Sequence, residues 1–258
     1  FKKQKEFNYK YSINYNILCI LLFEKLKKSN VFNKFKLLKD STFLDSEYPF
    51  INIDNKNITT DKIISLFDYE NINNFKSLKG KLKVLEIGAG AGRVAECLMS
   101  INKNLKYTVC DIPPSIFISY KRLKKSFPRK KINLLIDINE KDELVNNLVK
   151  NDISFILPHQ LNLIKEFYFD ISIAIDCLHE MDKKTIKNYF NSISNNSKNF
   201  YFSIWKKTKN WDSKGLLKKT ERLDLEKGDY SIPGDWKKVF QKKLIFPSNQ
   251  IALGFKIK

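Results

Sequence analysis

The sequence predicts an α/β fold built on a parallel, doubly wound sheet. The main observation is the segment 82–93, LKVLEIGAGAGR, in which an apolar run leads directly into alternating glycines and then into a helical pattern. Further apolar runs bounded by turn residues follow, and helical patterns stand between them. This alternation is typical of buried parallel strands with helices on both faces of the sheet. A chain of 258 residues has room for one such domain and an extension.

Residues 1–78 are predicted to form a mainly helical N-terminal extension, and residues 79–258 the α/β domain. The segment ILCILLFEKLKK has apolar residues at helical spacing, and Thr60-Asp61 before KIISLF is typical of a helix start. TFLDSEYPFINIDN, between them, has turn residues and no clear period. The apolar stretch 13–23 is too short to span a membrane, so no stable membrane insertion is expected, although a signal-peptide core stays open.

Seven strands are predicted in the α/β domain, with helices between the first five. The five strands cover residues 82–87, 105–110, 153–158, 169–175 and 199–205. Helices are expected at 115–126 and from Lys183 to about Ile193. The secondary structure of residues 129–150 stays undecided, because KINLLIDI can form an extra strand and KDELVNNLVK a helix. The last two strands, around 238–246 and 250–257, flank a turn at Pro247-Ser248-Asn249.

The glycine turn predicts a site at which a small molecule contacts the main chain. Glycine allows φ > 0 and leaves no Cβ in the way of a ligand. The spacing of Gly88, Gly90 and Gly92, with Arg93 next, departs from the dinucleotide fingerprint G-x-G-x-x-G, and the Gly-Lys-Ser/Thr of a P-loop is absent. Glu86, two residues before the first glycine, suits a cationic end of the ligand and would be unfavourable beside a pyrophosphate.

A second acid follows the next strand. The run LKYTVC ends in Asp111, where a two-layer α/β fold places an acid that accepts hydrogen bonds from both hydroxyls of a ribose. Glu86, the glycines and Asp111 together resemble the cofactor half of the class I S-adenosylmethionine-dependent methyltransferases. The resemblance implies a Rossmann-like sheet with strand order 3-2-1-4-5-7-6 and an antiparallel last strand. It also implies S-adenosylmethionine as the cofactor and S-adenosylhomocysteine as its product.

The cofactor is expected to bind outside the carboxyl ends of the strands, where the strand order switches. The positions that the resemblance assigns to it are Glu86, Gly88, Ala89, Gly90, Gly92, Arg93, Asp111, Ile112, His159 and Asp176. His159 follows the third strand, where this fold usually contacts the adenine. A role of His159 in loop packing stays open.

The turn after the fourth strand, residues 176–182, holds the candidate catalytic groups. A hydroxyl acceptor needs a base to take its proton. His179 has the only side chain in this turn whose ordinary pKa lies near neutrality, and its place is similar to that of the base histidine in small-molecule O-methyltransferases. Asp176 and Glu180 are the alternatives, and a structural role of His179 stays open. The acids here could hold Mg²⁺, but acids beside a helix start are more often caps, so no metal site is predicted.

Several segments resemble the sugar O-methyltransferases associated with bacterial surface glycans. They are LEIGAGAGR, YTVCDIPPS, FDISIAIDCLHEM, NFYFSIW and DYSIPGDWKKVF, within residues 80–258. The resemblance implies methylation of a sugar hydroxyl, on a nucleotide sugar or glycan precursor, in polysaccharide biosynthesis. The family's turn after strand four usually reads Ser-Phe-x-Glu-Met, whereas Cys177-Leu178-His179 precede Glu180-Met181 here, which strengthens Glu180 as the base. The family's asparagine at the end of strand five is replaced by Ile204-Trp205.

Aromatic residues near the final hairpin are candidate substrate contacts. Trp205, Trp211, Tyr230 and Trp236 lie at the end of the fifth strand and in the segment that follows it. Aromatic rings can stack on the apolar face of a sugar, or they can form a small core within the segment itself. Both interpretations stay open.

The net charge of +19 raises nucleic acid as a partner, but the type of charge argues against it. Only Arg93, Arg122, Arg129 and Arg222 are arginines among the 47 basic residues, and nucleic-acid sites depend on arginine for bidentate and stacking contacts. RNA methylation and a degenerate cofactor-binding partner remain alternative functions. The four cysteines lie in apolar segments without paired spacing, which favours buried thiols in the reducing cytoplasm. The sequence does not predict the oligomeric state.

Overall fold

The computed structural model describes residues 9–38, 50–53, 55–165, 167–208 and 223–257. The helices are α1 (Tyr9–Lys27), α2 (Thr60–Phe75), α3 (Arg93–Ile101), α4 (Ser115–Ser126), α5 (Lys141–Lys150) and α6 (Lys183–Asn196). The strands are β1 (Ile51–Ile53), β2 (Lys56–Ile58), β3 (Lys83–Ile87), β4 (Lys106–Cys110), β5 (Ile132–Leu134), β6 (Ile153–Ile156), β7 (Ile171–Ile175), β8 (Asn199–Trp205), β9 (Lys237–Lys243) and β10 (Gln250–Lys256). Short 3-10 helices lie at Phe32–Leu37, Pro158–Asn162 and Leu178–Glu180.

The main sheet has eight strands in the order β5-β6-β4-β3-β7-β8-β10-β9. β10 is antiparallel to both of its neighbours, and the other neighbouring pairs are parallel. The predicted α/β fold with a mostly parallel sheet is therefore confirmed. The predicted number of seven strands is wrong by one, because the open segment after residue 129 adds β5 as an edge strand beside β6. Without β5, the strands taken in chain order follow 3-2-1-4-5-7-6.

The central strands are buried on both faces, which explains their continuous apolar runs. Alternate residues point to opposite faces: Val84 packs into the cluster that contains α3 and α4, whereas Leu85 and Ile87 pack into the cluster that contains α5 and α6. Complete burial of one such side chain stabilises the fold by about 2 kcal/mol. Because both layers cover the sheet, polar groups for a site are left to the ends of the strands.

The N-terminal extension forms a third apolar cluster from α1, α2 and the neighbouring short elements, and this cluster includes Cys97 of α3. Thr59 caps α2 by accepting a hydrogen bond from the Lys62 backbone N–H at 3.2 Å, so the N-cap lies one residue before the predicted helix start at Thr60-Asp61. β1 and β2 pair as a short hairpin where the sequence shows no clear period. The boundary near residue 78 stays a prediction.

The crossover from β6 to β7 differs from the expected helix. Its described part contains the 3-10 helix Pro158–Asn162 instead. The buried Gln160 side chain fixes this turn, because it accepts a hydrogen bond from the Leu157 N–H at 2.7 Å and donates to the carbonyls of Leu135 and Ile138 at 2.8 and 2.6 Å. The short crossover leaves a cavity of about 630 Å³ beside α6.

None of the helices within the described ranges combines the length and the apolar character that crossing a membrane requires.

Candidate functional site

The three glycines of the turn between β3 and α3 serve two different purposes. All three have positive φ, +68° at Gly88, +55° at Gly90 and +75° at Gly92. A Cβ on Gly88 would lie 2.7 Å from Cβ of Cys177, and one on Gly92 would lie 3.0 Å from Cβ of Ser119. A Cβ on Gly90 would meet no atom within 4 Å. Gly88 and Gly92 therefore permit close packing, whereas Gly90 keeps space open next to the main chain.

Asp111, at the end of β4, is held against this turn by two backbone groups. Its Oδ2 accepts a hydrogen bond from the Gly90 N–H and its Oδ1 accepts one from the Ile112 N–H, both at 2.8 Å. Burial raises the pKa of the Asp111 carboxyl, and the two N–H donors act in the opposite direction. Carboxylate oxygens retain further lone pairs, so this fixed carboxylate can still accept hydrogen bonds from a ligand. The neighbouring Ile112 side chain is 58% exposed, which leaves an apolar surface for a flat ring.

A cavity of about 280 Å³ opens beside the turn. It is lined by Gly88, Gly90, Asp111, Ile112, Ser115, Cys177, Glu180, Met181, Thr185 and Tyr189. These lining residues include two acids and no Lys, Arg or His. Such a cavity suits a cationic ligand better than a phosphate.

The larger cavity beside α6 continues from this one. The two share Ile112, Thr185 and Tyr189, and His159 lines the larger cavity together with Pro158. His159 therefore lines the same larger cavity as Ile112. Its predicted contact with a cofactor stays a prediction.

Glu86 is buried within β3, with 2% of its surface exposed. The Tyr107 hydroxyl donates a hydrogen bond to Glu86 Oε2 at 2.8 Å. Burial raises the pKa of the Glu86 carboxyl to about 7, and the hydrogen bond from Tyr107 and the charge of Arg93 oppose this rise. Glu86 is thus an acid behind the turn whose charge changes near neutral pH.

Arg93 directs its side chain away from the cavity and towards α2. Its Nη1 donates to Asp68 Oδ2 at 2.6 Å and to Ser65 Oγ at 3.2 Å. The residue was predicted to bind a cofactor, but its guanidinium is engaged by the N-terminal extension. Arg93 is the first residue of α3, so its backbone adjoins the glycine turn, whereas its guanidinium does not.

The turn after β7 is shaped by contacts with the neighbouring strands. Asp176 has φ +57°, a conformation that aspartate tolerates better than most residues, and its N–H donates to the Ser203 carbonyl of β8 at 3.1 Å. Its Oδ1 accepts a hydrogen bond from Nε2 of Gln250, the buried first residue of β10. The same Oδ1 lies 3.4 Å from Nε2 of His179.

His179 is enclosed at this turn. Its side chain is 10% exposed, and its ring lies beside that of Trp205, with 5.5 Å between the centroids. Within the described part of the chain, its buried Nδ1 has no hydrogen-bond partner. Burial lowers the pKa of His179 more strongly than Asp176 raises it, so the imidazole is mostly neutral at pH 7. One ring nitrogen faces Asp176, and the other is buried without a partner among the described residues.

Glu180, in contrast, lines the cavity beside Gly88 and Gly90. Burial and the charge of Asp176 both raise the pKa of Glu180. Asp182 is the N-cap of α6, where its Oδ1 accepts the Thr185 N–H at 2.7 Å. Over the residues that the structure describes, no three His, Cys, Asp or Glu side chains gather in a way that would hold a metal ion.

The structure buries two of the four aromatic candidates. Tyr230 is fully buried, and its hydroxyl donates to the Trp205 carbonyl at 3.3 Å. Trp236 is 5% exposed, donates from Nε1 to Ser194 Oγ at 3.0 Å, and packs against Phe190. Both rings lie in the apolar core, which is one of the two alternatives that the sequence left open, and a contact of either with a substrate stays a prediction. Trp205 remains beside the site, and Trp211 lies outside the described residues.

The site also contains residues that the sequence did not indicate. Tyr107 holds Glu86, Gln250 holds Asp176, and Asp68 holds Arg93. The only sequence signal for these was Arg93 itself, since an arginine in a chain dominated by lysine indicates a contact that needs the planar guanidinium.

Comparisons with known proteins show the fold. No family model matches the sequence, and no curated protein is similar to it. The structure is similar to the PH0226 protein from Pyrococcus horikoshii OT3, with a TM-score of 0.51, 14% identity, and coverage of 80% of this chain and 93% of that one. It is also similar to magnesium protoporphyrin IX methyltransferase (ChlM) from Synechocystis PCC 6803 with bound SAH, with a TM-score of 0.50, 13% identity, and coverage of 89% and 95%.

The pyocyanin biosynthetic protein PhzM is a further similar structure, with a TM-score of 0.48 and 10% identity, and the alignment covers 75% of this chain. The chain spans only 55% of the length of PhzM. The likeness to ChlM shows that the eight-stranded sheet has a Rossmann-like fold, as that methyltransferase has.

Proposed function

We propose that this chain is an S-adenosylmethionine-dependent methyltransferase that methylates a hydroxyl of a sugar. The observation that carries the proposal is the cavity at the glycine turn, which is lined by Asp111 and Glu180, with no basic side chain among its lining residues. S-adenosylmethionine carries a sulfonium and an ammonium group, whereas dinucleotides and nucleoside triphosphates carry phosphates. An acidic lining favours the former class of ligand.

The residues present fit this cofactor. The carboxylate of Asp111 would accept the ribose hydroxyls, and the exposed Ile112 side chain would pack on the adenine. The open space at Gly90 would let the ligand approach the main chain. Glu86, behind the turn, would stabilise the cationic methionine end by its charge. ChlM, which shares this fold, holds SAH in its crystal structure, and this supports the same cofactor here.

Methyl transfer to a hydroxyl requires that its oxygen forms a bond to the methyl carbon while the bond from carbon to sulfur breaks. The bound cofactor supplies this methyl group on a good leaving group. The protein has to orient the hydroxyl behind the methyl carbon and remove its proton. A carboxylate with a raised pKa is a stronger base, and Glu180 has this property and lines the cavity.

Glu180 is therefore the proposed base, in preference to His179. The imidazole of His179 faces Asp176 with one nitrogen and is enclosed at the other. His179 and Asp176 instead form a polar surface beside Trp205, at the carboxyl ends of β7 and β8. This surface is the proposed binding site of the acceptor, where the Trp205 ring would contact the sugar.

A sugar acceptor is supported by the resemblance of several segments to sugar O-methyltransferases and by this arrangement of Asp176, His179 and Trp205. A nucleotide sugar or glycan precursor would place its phosphates away from the acidic cavity, towards the lysine-rich surface. The four cysteines are free and buried, which fits the reducing cytoplasm where such precursors are made. RNA is the second candidate acceptor, favoured by the net charge of +19.

The test is incubation of the protein with methyl-labelled S-adenosylmethionine and a panel of sugar nucleotides, glycan extracts and RNA, followed by mass spectrometry. We expect labelled sugar, and no labelled product with Asp111→Ala, which should also lose cofactor binding in calorimetry. Label in RNA alone, together with binding that weakens steeply with salt, would replace the sugar by RNA. Cofactor binding without transfer to any acceptor would indicate a degenerate binding protein.

A further inference from the structure

Two oppositely charged side chains meet behind the glycine turn, outside the cavity. Arg93 follows Gly92 directly and begins α3, and Asp68 lies on α2 in the N-terminal extension. Arg93 Nη1 and Asp68 Oδ2 are 2.6 Å apart, and the Asp68 side chain is only 4% exposed. The N-terminal extension thus contributes a buried charge to the immediate surroundings of the cofactor turn.

The choice of arginine at this position is informative. The chain has only four arginines among 47 basic residues, yet it has one here. The guanidinium donates to both Asp68 and Ser65 of α2, a geometry that its planar, multiple donors permit. A positive charge this close to a proposed cationic ligand is unfavourable unless an anion compensates it, and Asp68 is that anion.

The charges of Arg93 and Asp68 act on ionisable groups of the proposed site. The charge of Arg93 lowers the pKa of Glu86, and the charge of Asp68 raises it. Burial raises the pKa of Asp68, Arg93 opposes this rise, and the charge of Asp176 adds to it. The electrostatic potential at the glycine turn therefore depends on whether Asp68 neutralises Arg93.

We propose that Asp68 is a specificity-determining residue, which by neutralising Arg93 favours S-adenosylmethionine over S-adenosylhomocysteine. The two ligands differ by one positive charge, because the sulfonium becomes a neutral thioether when the methyl group leaves. A site that discriminates by charge binds the reactant and releases the product. This inference rests on the proposed function, since it takes these two molecules as the ligands.

The experiment measures the Kd of each ligand by calorimetry at low salt for the wild type and for Asp68→Asn, at pH 8, where Glu86 is largely ionised in both proteins. The variant leaves Arg93 uncompensated, so the Kd of S-adenosylmethionine should rise about fivefold more than that of S-adenosylhomocysteine, as for one unit charge at roughly 10 Å in an effective dielectric constant of about 35. Asp152→Asn is the matched control. Asp152 pairs with Lys106 and Lys130 at the amino-terminal edge of the sheet, and its loss should leave the ratio of the two Kd values unchanged.

The ratio separates an electrostatic role from a structural one. Damage to the turn would weaken both ligands equally, and such a result, or an unchanged ratio, would overturn the inference. Arg93→Gln, measured at a pH high enough to keep the buried Asp68 ionised, leaves Asp68 as an unpaired anion and should change the ratio in the opposite direction, which provides the test if Asp68→Asn does not fold. The double variant Asp68→Asn/Arg93→Gln should return the ratio towards that of the wild type.

Failure of the proposed function gives a different result. If the wild type binds neither ligand, the cofactor assignment fails and this inference fails with it. If the wild type binds both and the ratio is the same in all variants, only the role of Asp68 is refuted.

Discussion

The turn after β3 and the turn after β7 are in contact, yet they are built in different ways. A Cβ on Gly88 of the first turn would overlap Cys177 of the second. The first turn is defined by its own backbone, through positive φ at Gly88, Gly90 and Gly92. The second is defined by side chains that other segments hold, as Gln250 and Ser203 hold Asp176. A backbone site can be read from local sequence, whereas a side-chain site depends on distant partners.

The difference has a consequence for substitutions. A change in the backbone-defined turn should act on folding and on cofactor binding together. A change in the side-chain-defined turn should act on turnover and leave the fold and the cofactor nearly unaffected.

The largest effect is expected from Glu180→Gln, which removes the proposed base without changing the size of the side chain. We expect kcat to fall by about 10²- to 10⁴-fold, the usual contribution of general base catalysis. The Kd of S-adenosylmethionine, measured by calorimetry, should change only a few-fold. His179→Gln is the comparison and should lower kcat by less than about tenfold. A larger loss in His179→Gln than in Glu180→Gln would assign the base to His179.

Gly88→Ala should have the next largest effect, on the free energy of unfolding. The new alanine would have to keep φ at +68°, and its Cβ would lie 2.7 Å from Cβ of Cys177. The left-handed backbone conformation should lower the free energy of unfolding by about 1 kcal/mol, and overpacking by about 2 kcal/mol more. Chemical denaturation measures this loss. Gly80→Ala is the matched control, because Gly80 has φ +83° and open space around its Cβ position, so only the first cost applies. Equal losses in both variants would show that the two turns do not pack tightly.

The pH dependence of cofactor binding tests the backbone-defined turn by its charge. With a pKa of about 7, Glu86 is largely protonated at pH 6 and becomes charged as the pH rises. A cationic ligand binds the charged form better, so the Kd of S-adenosylmethionine should fall about fivefold from pH 6 to 7.5.

Variants of Glu86 and its partner check the origin of this dependence. The charged and titratable groups that act on Glu86 are Tyr107, Arg93, Asp111 and Asp68. Glu86→Gln should flatten the curve. Tyr107→Phe removes a hydrogen bond that lowers the pKa of Glu86, and it should move the midpoint to higher pH. A curve that Glu86→Gln leaves unchanged would locate the titrating group elsewhere.

The smallest effect is expected from Tyr230→Phe, outside both turns. The variant loses the hydrogen bond from the Tyr230 hydroxyl to the Trp205 carbonyl, and unfolding should become easier by about 1 kcal/mol. The KM of the sugar should stay the same, because the Tyr230 ring is in the core. If the KM of the sugar rises strongly while stability is kept, Tyr230 contacts the acceptor after all.

Much of the fold was predictable because its signals are local. The helix predicted at 115–126 is α4, Ser115–Ser126, and the first two predicted strands differ from β3 and β4 by one residue at one end. The glycine turn was predictable for the same reason, since the residues that need φ > 0 are the glycines themselves. Burial on both faces makes the central strands continuously apolar, a pattern that neighbouring residues reveal.

The misses share a non-local cause. The edge strand β5 has three residues, too few for a period, and exists through its pairing with β6. The crossover after β6 stays a 3-10 turn because Gln160 bonds to the carbonyls of Leu135 and Ile138, more than 20 positions earlier. The aromatic loop residues could have faced solvent or core, and only the position of α6 placed Trp236 in the core.

The sequence by itself determined the α/β class, the glycine turn and the acid that follows β4, because backbone conformation and strand burial impose their requirements on adjacent residues. Tertiary structure alone decided which charges meet. Asp68 reaches Arg93 across 25 positions, and Gln250 reaches Asp176 across 74. Such contacts leave no periodic trace in a single sequence, because the energy of a buried ion pair or hydrogen bond depends on distance in space and not on separation along the chain.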